Sequence, residues 1–340
     1  MRVLFCGDKH LKISRFDLAT RFLSWLNKTI EEQRPDLYVA LGDDMDTHAV
    51  VRSELLSELR YHFDYVLSLG IPVVYVVGNH DCFKPNDIKY HALKSMVGLH
   101  KDLHVIDSVT DLYGMTFVPY THDPIKFPTK TREICVAHQT FKGADYGDII
   151  TKDGVDALSL QEATLVISGH IHKRQILDTG RVRVLYPGSP FSQSASDIDQ
   201  VKGVSLIETD THQEKFIPCP LPMWKNMSFE LGGDLSIDVI HEQLLARLND
   251  IDSWVIEIKG PKTEITSYIG SLKYKNIIKN KNVKLKTIFT DKAKKQIRLN
   301  ERTVESVIDK YIDSVYSGSL DKAQLKLRAK ALQSIDLTLV

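Results

Sequence analysis

The sequence predicts an α/β layered fold, on three observations. Over the first two hundred residues, strand-like apolar runs alternate with segments of helical period. The strand candidates are nearly free of polar residues, as strands buried on both faces are. Five of them run straight into short loops that carry Asp, Asn or His.

Taken in order, RVLFC at 2–6 reads as a first strand. FDLATRFLSWLNKTIEEQ at 16–33 places Phe16, Ala19, Phe22, Leu23, Leu26 and Ile30 at helical spacing. DLYVAL at 36–41 is a strand, 50–69 a helix, and IPVVYVV at 71–77 a strand. REICVA at 132–137, ATLVIS at 163–168 and RVRVLY at 181–186 follow as strands. Their closer spacing predicts mixed sheets, or a two-sheet sandwich, flanked by helices. PCPLPMW at 218–224 reads as a linker. Beyond it, SWVIEIKG at 253–260 and VKLKTIF at 283–289 read as strands, with helical pattern around 261–275, which predicts a small α+β domain. Two amphipathic helices close the chain, near 303–315 and 321–335; the first aligns Val304, Ile308, Tyr311, Ile312 and Val315. The expected division is therefore 1–217, 218–298 and 299–340.

Composition sets bounds. A chain of 340 residues, 43% hydrophobic, can bury a full core. No apolar run reaches the ~18 residues of a membrane span. The apolar stretch at the N-terminus is too short for a signal peptide and fits a buried strand. Cys6, Cys82, Cys135 and Cys219 show no C-x-x-C spacing, so they are expected to be reduced and the protein cytoplasmic. No G-x-x-x-x-G-K-[ST] loop occurs, so the chain itself is not expected to hydrolyse ATP. Formal net charge is zero, yet residues 273–298 hold ten Lys/Arg against the single acid Asp291, leaving about −9 on the rest by subtraction. Such a segment is either a polyanion-binding surface or a solvated lysine face.

The chemistry-bearing residues sit where strands end. GDKH (7–10), GDDMD (42–46), GNHD (78–81), AHQ (137–139) and GHIH (169–172) each follow an apolar strand. The carboxyl ends of strands form the ligand crevice of α/β sheets, so five loops distant in sequence are expected to converge. Singly, each motif could be a turn, a helix cap or a satisfied histidine. Jointly they supply Asp8, His10, Asp43, Asn79, His138, His170 and His172. No cysteine takes part, which argues against a structural zinc knuckle. Mixed oxygen and nitrogen donors suit Mn, Fe or Zn. Seven ligands are too many for one ion; two ions sharing a carboxylate use them well, and such pairs, about 3.5–4 Å apart, clamp an in-line displacement at phosphorus.

In this order, D-x-H, G-D-x-x-D, G-N-H-D, a lone His and G-H-x-H resemble the calcineurin-like metallophosphoesterase superfamily over about residues 1–205. VLYPGSPFSQS at 184–194 and KGVSLIE at 202–208 are similar to the SbcD-type nucleases of DNA break repair and recombination, the meiotic-recombination-eleven family in phage or bacterial form. The resemblance implies a metallophosphoesterase sandwich with a small capping domain and C-terminal helices. It implies two divalent ions, Mn²⁺ first among the candidates: Asp8, His10 and His172 on the first ion, Asn79, His138 and His170 on the second, and Asp43 bridging. His80 would contact the scissile phosphate and aid the leaving oxygen, with Asp46 or Asp81 orienting it. Two departures stand out. Lys9 lies inside the first motif, and Asp44-Met45 replaces the bulkier apolar pair common in the second.

The implied activity is that of a DNA exonuclease and endonuclease subunit. It would act with an SbcC-type coiled-coil ATPase, as a homodimer within a heterotetramer, away from membranes and in the host cytoplasm if phage-encoded. Lys273, Lys275, Lys279, Lys281, Lys284 and Lys286 would contact the DNA backbone, and Val304, Ile308, Tyr311 and Val315 would anchor the ATPase. A phosphatase or small-molecule phosphodiesterase would use the same metal core without the basic segment or partner helices. A binding scaffold with a degenerate site is disfavoured, because all seven ligand positions are filled.

Overall fold

The computed structural model describes residues 1–290 apart from 47, 49, 85–86, 148, 232–235, 250–251 and 280–281. The chain runs β1 (Arg2–Cys6), α1 (Phe16–Gln33), β2 (Leu37–Ala40), α2 (Ser53–Ser68) and β3 (Val73–Val76). A hairpin, β4 (Cys82–Lys84) and β5 (Asp87–His91), leads to β6 (Leu103–Ile106), β7 (Thr110–Leu112), β8 (Met115–Val118), β9 (Ile134–His138) and β10 (Leu165–Gly169). Then come β11 (Gln175–Asp178), β12 (Arg183–Tyr186), β13 (Gly203–Glu208) and β14 (Gln213–Pro218). The last described part is β15 (Trp224–Glu230), α3 (Ile237–Arg247), β16 (Ser253–Gly260), α4 (Lys262–Gly270), α5 (Leu272–Ile278) and β17 (Asn282–Phe289).

Two six-stranded sheets, β14-β13-β1-β2-β3-β6 and β11-β12-β10-β9-β8-β7, face each other as a sandwich. The period-2 alternation of side chains explains why the strands are apolar throughout. In the first sheet Val3, Phe5, Leu37, Val39, Val74 and Val76 point into the inter-sheet core, where they meet Phe117, Val136, Ile167 and Leu185. Their neighbours Leu4, Cys6, Tyr38, Ala40, Val73 and Tyr75 point the other way, against Phe22, Leu26 and Ile30 of α1 and Leu59, Phe63 and Val66 of α2. Strands β1, β2, β3 and β6 run parallel, as do β8, β9, β10 and β12, so their C-terminal ends share a direction within each sheet.

Beyond Trp224, β15, β16 and β17 form a separate parallel sheet with a core of its own, including Phe229, Ile240, Trp254, Ile258 and Ile265. Met1–Phe289 nevertheless cluster as one compact unit. The expected linker is shorter than its prolines suggest: Pro218 still belongs to β14, Cys219 N–H donates to the Lys202 carbonyl (2.8 Å), and Trp224 already opens β15. The helical pattern at 261–275 is two helices broken at Gly270–Ser271, where the Ser271 side chain caps α5 by accepting from Tyr274 N–H. The two C-terminal helices, with Val304, Ile308, Tyr311 and Val315, lie outside the described residues, as does Lys281. All four cysteines are buried thiols. Among the described residues no helix is long and apolar enough to cross a membrane.

Candidate metal centre

Four of the loops meet at one place with His138, which is the last residue of β9 and not on the loop after it. Asp8, His10 and His172 each offer a ligand atom within 4.8 Å of the others, and so do Asp43, His138 and His170. Asn79 joins the second group: its Oδ1 lies 2.8 Å from His170 Nδ1 and 3.2 Å from His138 Nε2. His10, Asp43 and His80 form a third such group, so the His80 ring reaches the same centre.

Backbone strain marks the site. Asp8, His10, Asp43 and His170 all sit at positive φ, at 29°, 40°, 53° and 84°. Non-glycine residues seldom adopt that region and persist there only where their surroundings over-determine them. The glycines of the motifs have a steric reason as well. A Cβ on Gly78 would fall 2.2 Å from Asp43 Oδ1 and 2.8 Å from His138 Cε1, and one on Gly42 (φ +94°) 2.8 Å from His138 Nδ1. The buried imidazole of His138 is thus wrapped by bare backbone.

The donor set fits divalent cations. His138 Nδ1 lies 2.6 Å from the Leu41 carbonyl oxygen, so Nδ1 carries the hydrogen and Nε2 faces the centre. There Nε2 meets Asp43 Oδ2 at 3.2 Å and Asn79 Oδ1 at 3.2 Å, a convergence of acceptors that only a positive charge reconciles. Burial pulls His138 down, but the Asp43 and Asp8 carboxylates pull it further up, to about 9. Burial pushes Asp43 up, yet the surrounding imidazoles, His138 foremost, hold it below the usual carboxylate range. Asp8 accepts from His170 N–H through Oδ1 (2.8 Å), while its buried Oδ2 has no protein partner among the described residues. Burial lowers His10 and His170, the latter to about 3 with help from His138, so both are neutral and competent as ligands at physiological pH.

His80 is placed by its backbone and its ring. Its N–H donates to Asp43 Oδ1 (2.7 Å), and its Nδ1 lies 3.1 Å from the Asp46 carbonyl oxygen. The expected orienting carboxylates do something else. Asp81 accepts from the backbone N–H groups of Gly78 (2.9 Å), Asp43 (2.9 Å) and Asp44 (3.2 Å), and so staples the β2 loop to the β3 loop. Burial, with Asp43 and Asp44 nearby, raises it to about 7. The Asp46 carboxylate pairs with Lys12 (3.0 Å). Of the two, Asp46 meets the His80 ring, through its main-chain carbonyl.

Three neighbours of the centre do not follow from the motifs. His48 stacks on His80, with ring centroids 4.1 Å apart, and its Nδ1 lies 2.9 Å from the Asn79 carbonyl. Tyr120 leans on His170 at 5.5 Å. Lys202, almost fully buried, donates to the His172 carbonyl (2.7 Å) and pairs with Asp197 (2.7 Å). In the sequence Lys202 opens the KGVSLIE stretch and His48 is a histidine two residues past Asp46, but neither is marked there as a neighbour of the centre. The 184–194 stretch lies directly behind the centre: Ser189 N–H donates to the His172 carbonyl (3.0 Å) and Gln193 Nε2 to the Lys9 carbonyl (2.8 Å).

The lysines are not gathered at the centre. Lys273 and Lys275 lie on α5, with Lys279 just past it, and Lys284 and Lys286 lie on β17, an edge strand. Lys273 pairs with Asp238 (3.2 Å), Lys286 with Glu257 (2.6 Å), and the Lys284 ammonium stands 4.9 Å from the Trp224 ring.

The profile of the calcineurin-like phosphoesterase family matches residues 1–174, a segment that contains every residue of the centre. Among curated proteins the chain is similar to exonuclease subunit 1 of Enterobacteria phage T4, at 20% identity over 331 residues, 93% of each chain. It is similar to the probable exonuclease subunit 1 of Escherichia phage T5, at 24% identity over 78% of this chain and 81% of the relative. It is also similar to the D component of nuclease SbcCD of Staphylococcus epidermidis, at 24% identity over 64% of this chain and 69% of the relative. With the motifs in order, the loops converged and more than half of the chain matched, the protein belongs to the calcineurin-like phosphoesterase family and is a metal-dependent phosphoesterase.

Proposed function

We propose that the protein is the nuclease subunit of a DNA-processing complex, hydrolysing phosphodiester bonds as an exonuclease and endonuclease at a two-metal centre. The observation that carries this reading is the pair of ligand groups, Asp8–His10–His172 and Asp43–His138–His170, on a chain alignable over 93% of its length with a phage exonuclease subunit. In this reading Asp8, His10 and His172 hold one ion, Asn79, His138 and His170 the other, and Asp43 both. The ions, when bound, supply a nucleophilic hydroxide near neutral pH and neutralise charge on the phosphate. Asp43, shared between the two groups, would help to hold them both. His80, with Nδ1 turned to the Asp46 carbonyl, presents Nε2 to the substrate, where it can contact the phosphate and protonate the leaving oxygen.

The remaining assignments extend this reading. Residues 1–217 form the catalytic domain and 218–298 a capping domain whose lysines neutralise DNA phosphates. Residues 299–340 dock a coiled-coil ATPase of SbcC type through Val304, Ile308, Tyr311 and Val315, two copies of each chain forming a heterotetramer in the cytoplasm. A chain ending near residue 300 is expected to keep hydrolysis of a nitrophenyl phosphodiester and lose the ATPase. Manganese is the preferred ion, because four imidazoles suit it better than Mg²⁺, which favours carboxylate and water oxygen. Chelated protein should be inert on DNA and recover with Mn²⁺ well beyond its recovery with Mg²⁺; equal rescue contradicts the ligand assignment. A small-molecule phosphodiesterase would instead show DNA affinity that barely changes with salt.

A further inference from the structure

Lys9 and Asp44, the two departures from the family motifs, are partners. Lys9 Nζ lies 2.6 Å from Asp44 Oδ1, and neither side chain has any solvent exposure. Each sits between or beside candidate ligands: Lys9 between Asp8 and His10, Asp44 next to Asp43. Both point away from the centre into the layer beneath it. There the Lys9 ammonium stands 5.9 Å from the Tyr38 ring and pairs with no other carboxylate among the described residues, while Asp44 Oδ2 has no partner among them. Cys6 and His62 complete the surroundings of Lys9, and Tyr75, whose hydroxyl accepts from Asp44 N–H (3.3 Å), and Asp81 those of Asp44.

The pair joins two loops that are already laced together. His10 N–H donates to the Asp43 carbonyl (2.9 Å) and Leu11 N–H to the Asp44 carbonyl (2.8 Å), and Leu11 and Met45 form a parallel bridge. Three residues in these loops, Asp8, His10 and Asp43, hold left-handed backbone conformations that need external support. A buried ion pair is a poor source of net stability, because desolvating two charges offsets their attraction. Either charge left alone in this layer is heavily penalised, so the two side chains are held to each other.

We propose that Lys9 and Asp44 are positioning residues that lock the β1 loop to the β2 loop, holding Asp8, His10 and Asp43 at metal-binding separation. The proposal rests on the two-metal reading of the centre. Neither residue touches metal or substrate; each acts through its neighbours. The two positions form one unit, so an apolar pair can replace the ionic pair only if both change together.

The test is a double-mutant cycle on the full chain with Lys9→Met, Asp44→Leu and the combined variant, read by calorimetric Mn²⁺ titration well below the melting temperature. Asp44→Asn, which keeps the shape and removes the charge, covers the case in which Asp44→Leu does not fold. Each single change, Asp44→Asn included, is expected to weaken Mn²⁺ binding about 10–100-fold, as loss of groups that support metal ligands does. The double variant is expected to recover most of that loss. Singles that melt earlier yet bind Mn²⁺ within about twofold of wild type would overturn the proposal, as would a double variant no better than the worse single. Wild-type protein that binds no Mn²⁺ would overturn the two-metal reading, and this proposal with it.

Discussion

The Nε2 atoms of His10 and His172 face each other at 3.0 Å, though the residues come from loops 162 positions apart. Two lone pairs cannot share that space without a cation or a proton between them. Metal binding should therefore stabilise the fold. At Mn²⁺ one hundred times its dissociation constant, linkage gives about 2.7 kcal/mol, which is about 4–5 °C in melting temperature for a unit of this size. His172→Ala should remove most of that shift while leaving the metal-free melting temperature nearly unchanged. An equal shift in the variant would show that the two rings do not share an ion.

Gly78→Ala should be far more harmful than its chemistry suggests. The new Cβ would overlap the Asp43 carboxylate, with 2.2 Å to Oδ1. Overpacking of this kind costs about 1–3 kcal/mol, and here it would also displace the Asp43 carboxylate from the cluster it shares with His138 and His170. Gly180→Ala is the control: φ is +82° and nothing lies within 4 Å. It should cost about 1–2 kcal/mol from backbone strain alone and leave hydrolysis intact. Comparison of melting temperature and kcat in the two variants checks this.

The His48 ring lies flat on the His80 ring at 4.1 Å and 26°, and so limits where His80 can point. His48→Ala should lower kcat about 10–100-fold, the scale of a misplaced catalytic group, with both metals retained. Metal analysis beside steady-state kinetics decides the matter; unchanged kcat would make His48 a bystander.

Much of this architecture is legible in the sequence, for reasons particular to its parts. Strands β2 and β3 are buried on both faces, so LYVA and VVYV carry no polar interruption. Helix α1 buries a full stripe from Ala19 to Ile30. Helix α3 escapes such a reading because only Ile240 and Leu244 are buried along it, too few to set a period. The short strands β4, β5, β7 and β11 escape it for the same reason: three to five half-exposed residues leave no pattern. At the centre, the residue types and their place after each strand are readable, and the fold gathers all seven. Their supports are not. Asp81 works on backbone amides, Lys202 on a carbonyl, and Lys9 on Asp44, and main-chain and long-range partners of that kind have no local signature.

The basic segment can be dissected by structure. Lys273 and Lys286 already face Asp238 and Glu257, so reversing them should matter less than reversing Lys275, Lys279 and Lys284. Changing these three to Glu should weaken duplex DNA binding and flatten the slope of log K against log salt by up to about 0.9 per lost phosphate contact. Hydrolysis of a nitrophenyl phosphodiester should be nearly unaffected. Unchanged DNA affinity would mean that these lysines only form a solvated face.

The division of labour between Asp43 and His80 is the centre of the account, and metal content measured beside DNA cleavage tests it most directly. Asp43 Oδ1 accepts from His80 N–H, yet the two side chains are assigned different work, Asp43 to the ions and His80 to the substrate. His80→Asn should hold two metal ions per chain and cleave no DNA. Asp43→Asn should lose both metal and activity. A His80→Asn protein that purified without metal, or an Asp43→Asn protein that kept two ions, would contradict the account.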